Sequence, residues 1–274
     1  SILLKKTKLP KFISGSFSVK AEPTLAKELY FTEQNETLLI FCQGKLIHQS
    51  AELSGKNRVI DFSSPNLTEE DAKLITKSLL LQHKENSFSL INQALMQSGY
   101  LIHIAEPSRQ KLRILHVIPA LEKDNLLCFS RQVIVIDDGL ICQLSEAVLD
   151  LSVEETPFRA FSNSVSNIVL GENARLCLTQ AKLLTEQSAH FSQSFLELKK
   201  YAQLDLRLFT SGADASFTLY DVHLEQKEAQ ANIEAVVKTK NTACAELQTY
   251  VRHIAPHCTS NQIIKNVAEG KSQA

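Results

Sequence analysis

From residue 174 onward, short segments with apolar residues at alternate positions follow one another at a nearly constant interval, each opened by an alanine. They are Ala174-x-Leu176-x-Leu178, Ala189-x-Phe191, Ala202-x-Leu204-x-Leu206-x-Leu208, Ala215-x-Phe217-x-Leu219, Ala231-x-Ile233-x-Ala235-x-Val237 and Ala245-x-Leu247-x-Thr249-x-Val251. The alanine-to-alanine steps are 15, 13, 13, 16 and 14 residues. A period of two marks a strand with one buried face. It places the named side chains on a dry face and Asp205, Arg207, Ser216, Thr218, Asn232, Glu234, Glu246 and Gln248 on a wet one.

Such a strand cannot stand alone. Burying a Leu, Ile or Phe contributes about 1.5–3 kcal/mol, whereas ordering the backbone costs about 1–2 kcal/mol per residue. Neighbours must supply both ladder and cover. A step of about 14 residues fits one strand and one turn, so two strands make a coil of about 28, and self-similarity of this kind signals a stacked column. A β-sandwich of antiparallel hairpins predicts similar alternation. Against it, the only glycines after residue 140 are 171, 212 and 270, which leaves few hairpin turns. The predicted fold is mainly β, with a parallel β-helix core over residues 105–274 and a small α/β part over 1–104.

In that first part, Leu38–Cys42 and Lys45–Ile47 read as strands around a Gln43-Gly44 turn. Thr68 is a helix cap with Asp71 at the third position, and Leu74, Ile75, Ser78 and Leu79 then share one face of residues 68–81. A second helix is predicted over 87–98, with Phe88, Ile91, Ala94 and Leu95 on its apolar face and Gly99 as its stop. From Leu112 the helical period disappears; Leu112–Ile118 and Val133–Ile136 are strands, the second closed by an Asp137-Asp138-Gly139 turn.

Charge excludes some functions. With 29 basic and 30 acidic residues the net charge is −1, so no overall field draws in nucleic acid or an anionic membrane. The one short basic run, Lys5-Lys6-Thr7-Lys8, reads as a solvated segment. No apolar stretch is long enough to span a bilayer and no secretory signal is visible, so a cytoplasmic protein is expected. Cys42, Cys128, Cys142, Cys177, Cys244 and Cys258 are scattered singly and read as reduced thiols, with Cys142 and Cys177 buried in apolar runs. A chain that opens on Ser1 and closes on Gly270-Lys271-Ser272-Gln273-Ala274 without a cap reads as part of something longer.

Several ordered segments carry a resemblance. Arg131-Gln132-Val133-Ile134-Val135-Ile136-Asp137-Asp138-Gly139-Leu140-Ile141-Cys142-Gln143-Leu144-Ser145-Glu146 is a strand, an acidic-Gly turn and a second strand ending in Glu. Phe161-Ser162-Asn163-Ser164-Val165 and Leu170-Gly171-Glu172-Asn173-Ala174 follow, and then Arg252-His253-Ile254-Ala255-Pro256-His257-Cys258-Thr259-Ser260-Asn261-Gln262 leads through an apolar pair to Gly270-Lys271-Ser272. With Ala94-Leu95 and Gly99 ahead of them, these resemble the SufB/SufD family of iron–sulfur cluster assembly scaffolds over residues 86–274. The compact N-terminal part resembles the SufD branch more than the SufB one. The resemblance implies a right-handed parallel β-helix flanked by helical parts. It also implies a non-enzymatic subunit that pairs with a SufB-like paralogue and binds a SufC-like ATPase, the cluster being built on the assembled complex rather than on this chain. Self-pairing into a homodimer, with contacts or disorder near residues 255–274, is the further expectation.

Candidate chemistry is sparse. His253, His257 and Cys258 are the candidate cofactor-binding residues, because borderline and soft ligands stand close in sequence. Pro256 lies between the histidines, and in an extended segment they are about 13 Å apart, so a turn whose polar side chains bond backbone is the competing reading and no metal site is predicted. His103, His116, His190 and His223 read as strand-face residues, no catalytic residue is assigned, and no nucleophile elbow, zincin, phosphate-loop or dinucleotide motif occurs. A β-helical carbohydrate-active enzyme is the alternative. It needs clustered carboxylates and stacking aromatics, whereas there is no tryptophan, and Tyr201, Tyr220 and Tyr250 are the only tyrosines after residue 100. A plain interaction module that pairs through a strand edge is the third reading.

Overall fold

Successive strands alternate between two sheets along most of the chain. A computed structural model describes residues 27–80, 87–96, 98–119, 125–151 and 159–274; the basic run at Lys5–Lys8 lies outside them. One sheet contains β1 (Glu36–Cys42), β2 (Lys45–Gln49), β5 (Lys111–Ile118), β7 (Ile141–Asp150), β9 (Arg175–Leu183), β11 (Gln203–Ser211), β13 (Gln230–Thr239) and β15 (Thr259–Ala268). The other contains β3 (Arg58–Asp61), β4 (Ser98–Ile104), β6 (Leu126–Ile136), β8 (Ala160–Leu170), β10 (Ser188–Leu198), β12 (Ala215–Leu224) and β14 (Cys244–His253). Among the described residues only β1–β2 and β3–β4 pair antiparallel.

The result is a parallel β-solenoid of about five turns, as the repeat predicts, not two layers of hairpins. Gln203 pairs with Gln230 and Gln230 with Thr259, so one coil takes 27 residues and the next 29. Stacking puts like on like: Leu144, Leu178, Leu206 and Ile233 form one buried row, and Ile134, Ile168, Leu196 and Val222 face them from the other sheet. At about 1.5–3 kcal/mol for each such side chain, these rows are the main apolar stabilisation of the column.

Two strands depart from the predicted facing. In β10 and β12 the alanine-led apolar residues point away from the interior. Ala189, Phe191, Ala215, Phe217 and Leu219 form a separate cluster with Phe129, Phe161 and Phe88 on the outer side of the second sheet. Phe88 lies 4.5 Å from Phe191 and 5.8 Å from Phe217, ring centre to ring centre. Ser192 and Thr218 therefore face inward, where the alternation had put Thr218 on the wet side. The inversion is possible because a helix covers this sheet, so both faces of β10 and β12 are dry and alternation no longer separates core from solvent.

That cover is α1 (Glu69–Leu79) and α2 (Ser87–Leu95). In α1 the predicted cap is present, Thr68 and Asp71 forming a reciprocal capping box, and Asp71 also takes the Arg58 guanidinium at 2.6 Å. Ile75 packs with Leu101, Val133 and Val135. Helix α2 ends at Leu95, earlier than predicted, and Gly99 lies inside β4 instead of stopping a helix. Its buried face is polar: Asn92 donates to the carbonyls of Ser130 (3.0 Å) and Asn163 (2.9 Å), and Asn163 donates back to that of Phe88. These bonds fix the rotation of α2 and leave Leu90, Ile91 and Leu95 exposed, so of the apolar face predicted for it Phe88 alone packs on the sheet and the rest is turned outward.

The first part of the chain builds into the same sheets. Strand β1 pairs parallel with β5 and β4 with β6, and residue 104 is where β4 ends. Gln43 and Gly44 form the predicted two-residue turn between β1 and β2, both with positive φ. Cys142 is buried as expected, whereas Cys177 lies on the outer side of β9 beside Asp205, because its place in the alternation is an outward one.

Candidate functional site

Beyond the leucine rows, the inward positions turn polar. The same alternation that gives Leu112 and Ile114 on β5 gives His116 next; Leu144 on β7 leads to Glu146; Leu178 on β9 leads to Gln180 and Lys182. The second sheet contributes Tyr100, Gln132, serines of β6, β8 and β10, His190, Thr218 and Tyr220. Of these groups His116, Glu146, Gln180, Lys182, His190 and the serines line a cavity of about 40 Å³ in one half of the solenoid interior, with Phe41, Gln43, Gly44 and Cys128 also lining it.

Glu146 is the hub. Its Oε1 is 2.8 Å from His116 Nε2 and accepts from Gln132 Nε2 at 2.9 Å, while its Oε2 accepts from Gln180. Tyr100 donates to Gln132 and Tyr220 to Gln180, so both amides are held in place. Burial alone would raise the Glu146 carboxyl, but the His116 contact and the two amide donors outweigh it and bring it down to about 2. Lys182 lies deeper; its Nζ donates to Thr218 Oγ1 at 2.8 Å and to Ser192. Burial pulls Lys182 down to about 7, against the opposing charge of Glu146. His190 is held well below its ordinary value, by burial first and then by Lys182. Burial pushes Cys128 up to about 12, which leaves it an unreactive thiol.

The depressed Glu146 makes a pH prediction. A carboxyl lower in the folded chain than in the unfolded one stabilises fully above the unfolded value of about 4.5 and loses that contribution as pH falls toward about 2. Urea unfolding at about pH 5 and about pH 2.5 should show the wild type losing roughly 2–3 kcal/mol through this group. In Glu146→Gln that part of the loss should vanish; equal losses in the two proteins would contradict the assignment.

The residues singled out from sequence lie elsewhere. His253 ends β14 and sits 2.9 Å from Ser260, His257 occupies a positive-φ turn, and the Cys258 thiol donates to the carbonyl of Gln226 at 3.2 Å. Among the described residues no group of three or more His, Cys, Asp or Glu is placed to hold a metal. Of the four histidines read as strand-face residues, His116 and His190 belong to the chamber, His103 meets Asp137 and His223 meets Asp221. Glu146, Gln180 and Lys182 carried a signal that the sequence reading passed over: they continue the dry positions of their strands, where a polar residue must find a buried partner.

Fold and chamber define a two-sheet parallel β-solenoid protein with a polar compartment in its interior. No helix among the described residues is long and apolar enough to cross a membrane. The family model for "SUF system FeS cluster assembly, SufBD core domain" matches residues 120–274, more than half of the chain, and the chain belongs to that family. A search of curated proteins finds no match. Family membership gives the chain a role in iron–sulfur cluster assembly by the SUF system.

Proposed function

We propose that this chain is a SufD-like scaffold subunit that pairs with a SufB-like paralogue and is served by a SufC-like ATPase, with no catalysis of its own. The iron–sulfur cluster is the cargo of the assembled complex. The observation that carries the reading is the parallel solenoid itself, whose coils from β6 onward coincide with the SufBD core match at residues 120–274. The six cysteines are thiols rather than disulfides, which suits a reducing compartment and supports a cytoplasmic location.

Co-expression with a SufB-like and a SufC-like protein, followed by affinity capture and size exclusion, tests the proposal. All three should co-elute. Elution of this chain by itself in the presence of both partners would overturn it, and a mass doubled by self-pairing would point to the homodimer instead.

A further inference from the structure

Glu146 and Lys182 make no direct ion pair with each other. Glu146 has both oxygens occupied by His116, Gln132 and Gln180, whereas the Lys182 ammonium bonds two hydroxyls, Ser192 and Thr218, and no carboxylate. Two of its three N–H groups are accounted for in this way. A buried cation with no anion in hydrogen-bonding reach is costly, more so than a buried polar group left unbonded. Close by on the same inner face, two residues before Ser192, His190 is fully buried; its Nδ1 is 2.6 Å from Ser162 Oγ and its Nε2 has no partner among the described residues. In the tautomer where the Ser162 hydroxyl donates to Nδ1, Nε2 carries the ring proton and is a donor. Lys182, His190, Ser164, Ser192 and Ser194 line one cavity of about 40 Å³, a size that takes water or a small ion but no organic ligand.

We infer that the solenoid interior binds one small monovalent inorganic anion, of chloride size, between Lys182 Nζ and His190 Nε2. In that tautomer both groups offer protons and neither offers a lone pair to the other, so an acceptor with a full negative charge satisfies them together, and a water satisfies only the hydrogen bonds. The serine hydroxyls turn to donate as well. The ion thereby meets the Lys182 charge as the donors of His116, Gln132 and Gln180 meet that of Glu146. Nothing in this reading depends on which partners the outer edge recruits.

The test uses the full chain at about pH 6, with gluconate replaced by bromide at constant ionic strength. The thermal midpoint should climb by about 3 °C for each tenfold rise in bromide above the dissociation constant. In Lys182→Met the midpoint should not respond to the exchange. Equal midpoints in bromide and gluconate, or a response that survives in Lys182→Met, would overturn the proposal, the second showing a general salt effect at the surface. Should Lys182→Met not fold, wild-type crystals grown in bromide decide the matter. An anomalous peak within hydrogen-bonding reach of Lys182 and His190 supports the site, and a chamber without one overturns it.

Discussion

Replacing Glu146 with leucine should destabilise the protein by about 3–5 kcal/mol, enough to lower the thermal midpoint by roughly 10 °C. The leucine fits the space, so the loss is not one of volume. It comes from His116, Gln132 and Gln180, whose donors all end on this carboxylate. Deprived of it, three polar groups stay buried without an acceptor, and each costs about 1–3 kcal/mol. Circular dichroism melts of Glu146→Leu check the figure; a midpoint within a degree or two of wild type would show that the cluster contributes little.

The second large effect is expected at Gly212, in the turn between β11 and β12. Its φ is +85°, and a Cβ built there would stand 1.7 Å from the backbone carbonyl oxygen of Leu184 in the neighbouring coil. Leu184 also donates to the carbonyl of Ser211 at 3.0 Å, so relieving the clash breaks the ladder between coils. Gly212→Val should therefore cost about 3 kcal/mol or more, most of it steric. Gly139 is the control. It has a similar φ of +72° but nothing within 4 Å of the added atom, so Gly139→Ala should cost only about 1 kcal/mol of backbone strain. Denaturant midpoints for the two variants would separate the contributions, and equal losses would count against the clash.

The column was legible in the sequence because a coil is a local object: its alternation and its interval are written into consecutive residues, and stacking follows from the need to hide one face. The Thr68–Asp71 cap was legible for the same reason. What escaped was set by neighbours distant in sequence. Strands β10 and β12 read as one-sided, yet α2 dries their outer face, and Phe191 and Phe217 then sit under Phe88 while Ser192 and Thr218 turn inward. The facing of α2 was misjudged because Asn92 finds two carbonyls on β6 and β8, an attraction no helical wheel contains. The histidine pair with Cys258 drew attention through proximity in sequence, whereas His116, Glu146 and Lys182 meet only after the chain has coiled. Each was visible as a polar residue at a dry position; which partner would satisfy it was not.

The division of the interior into a leucine half and a polar half has a consequence for how the chain finds its place. Rows such as Leu144, Leu178, Leu206 and Ile233 are nearly interchangeable, so a coil docked one turn out of step would fill that half almost equally well. The polar half does not tolerate the same error. Moving β9 by one coil would take Gln180 away from Glu146 and Lys182 away from Thr218, leaving an acid and a base buried without those partners. The chamber thus works like the wards of a lock, penalising every arrangement of the stack except one, while the aliphatic side supplies adhesion that is indifferent to order.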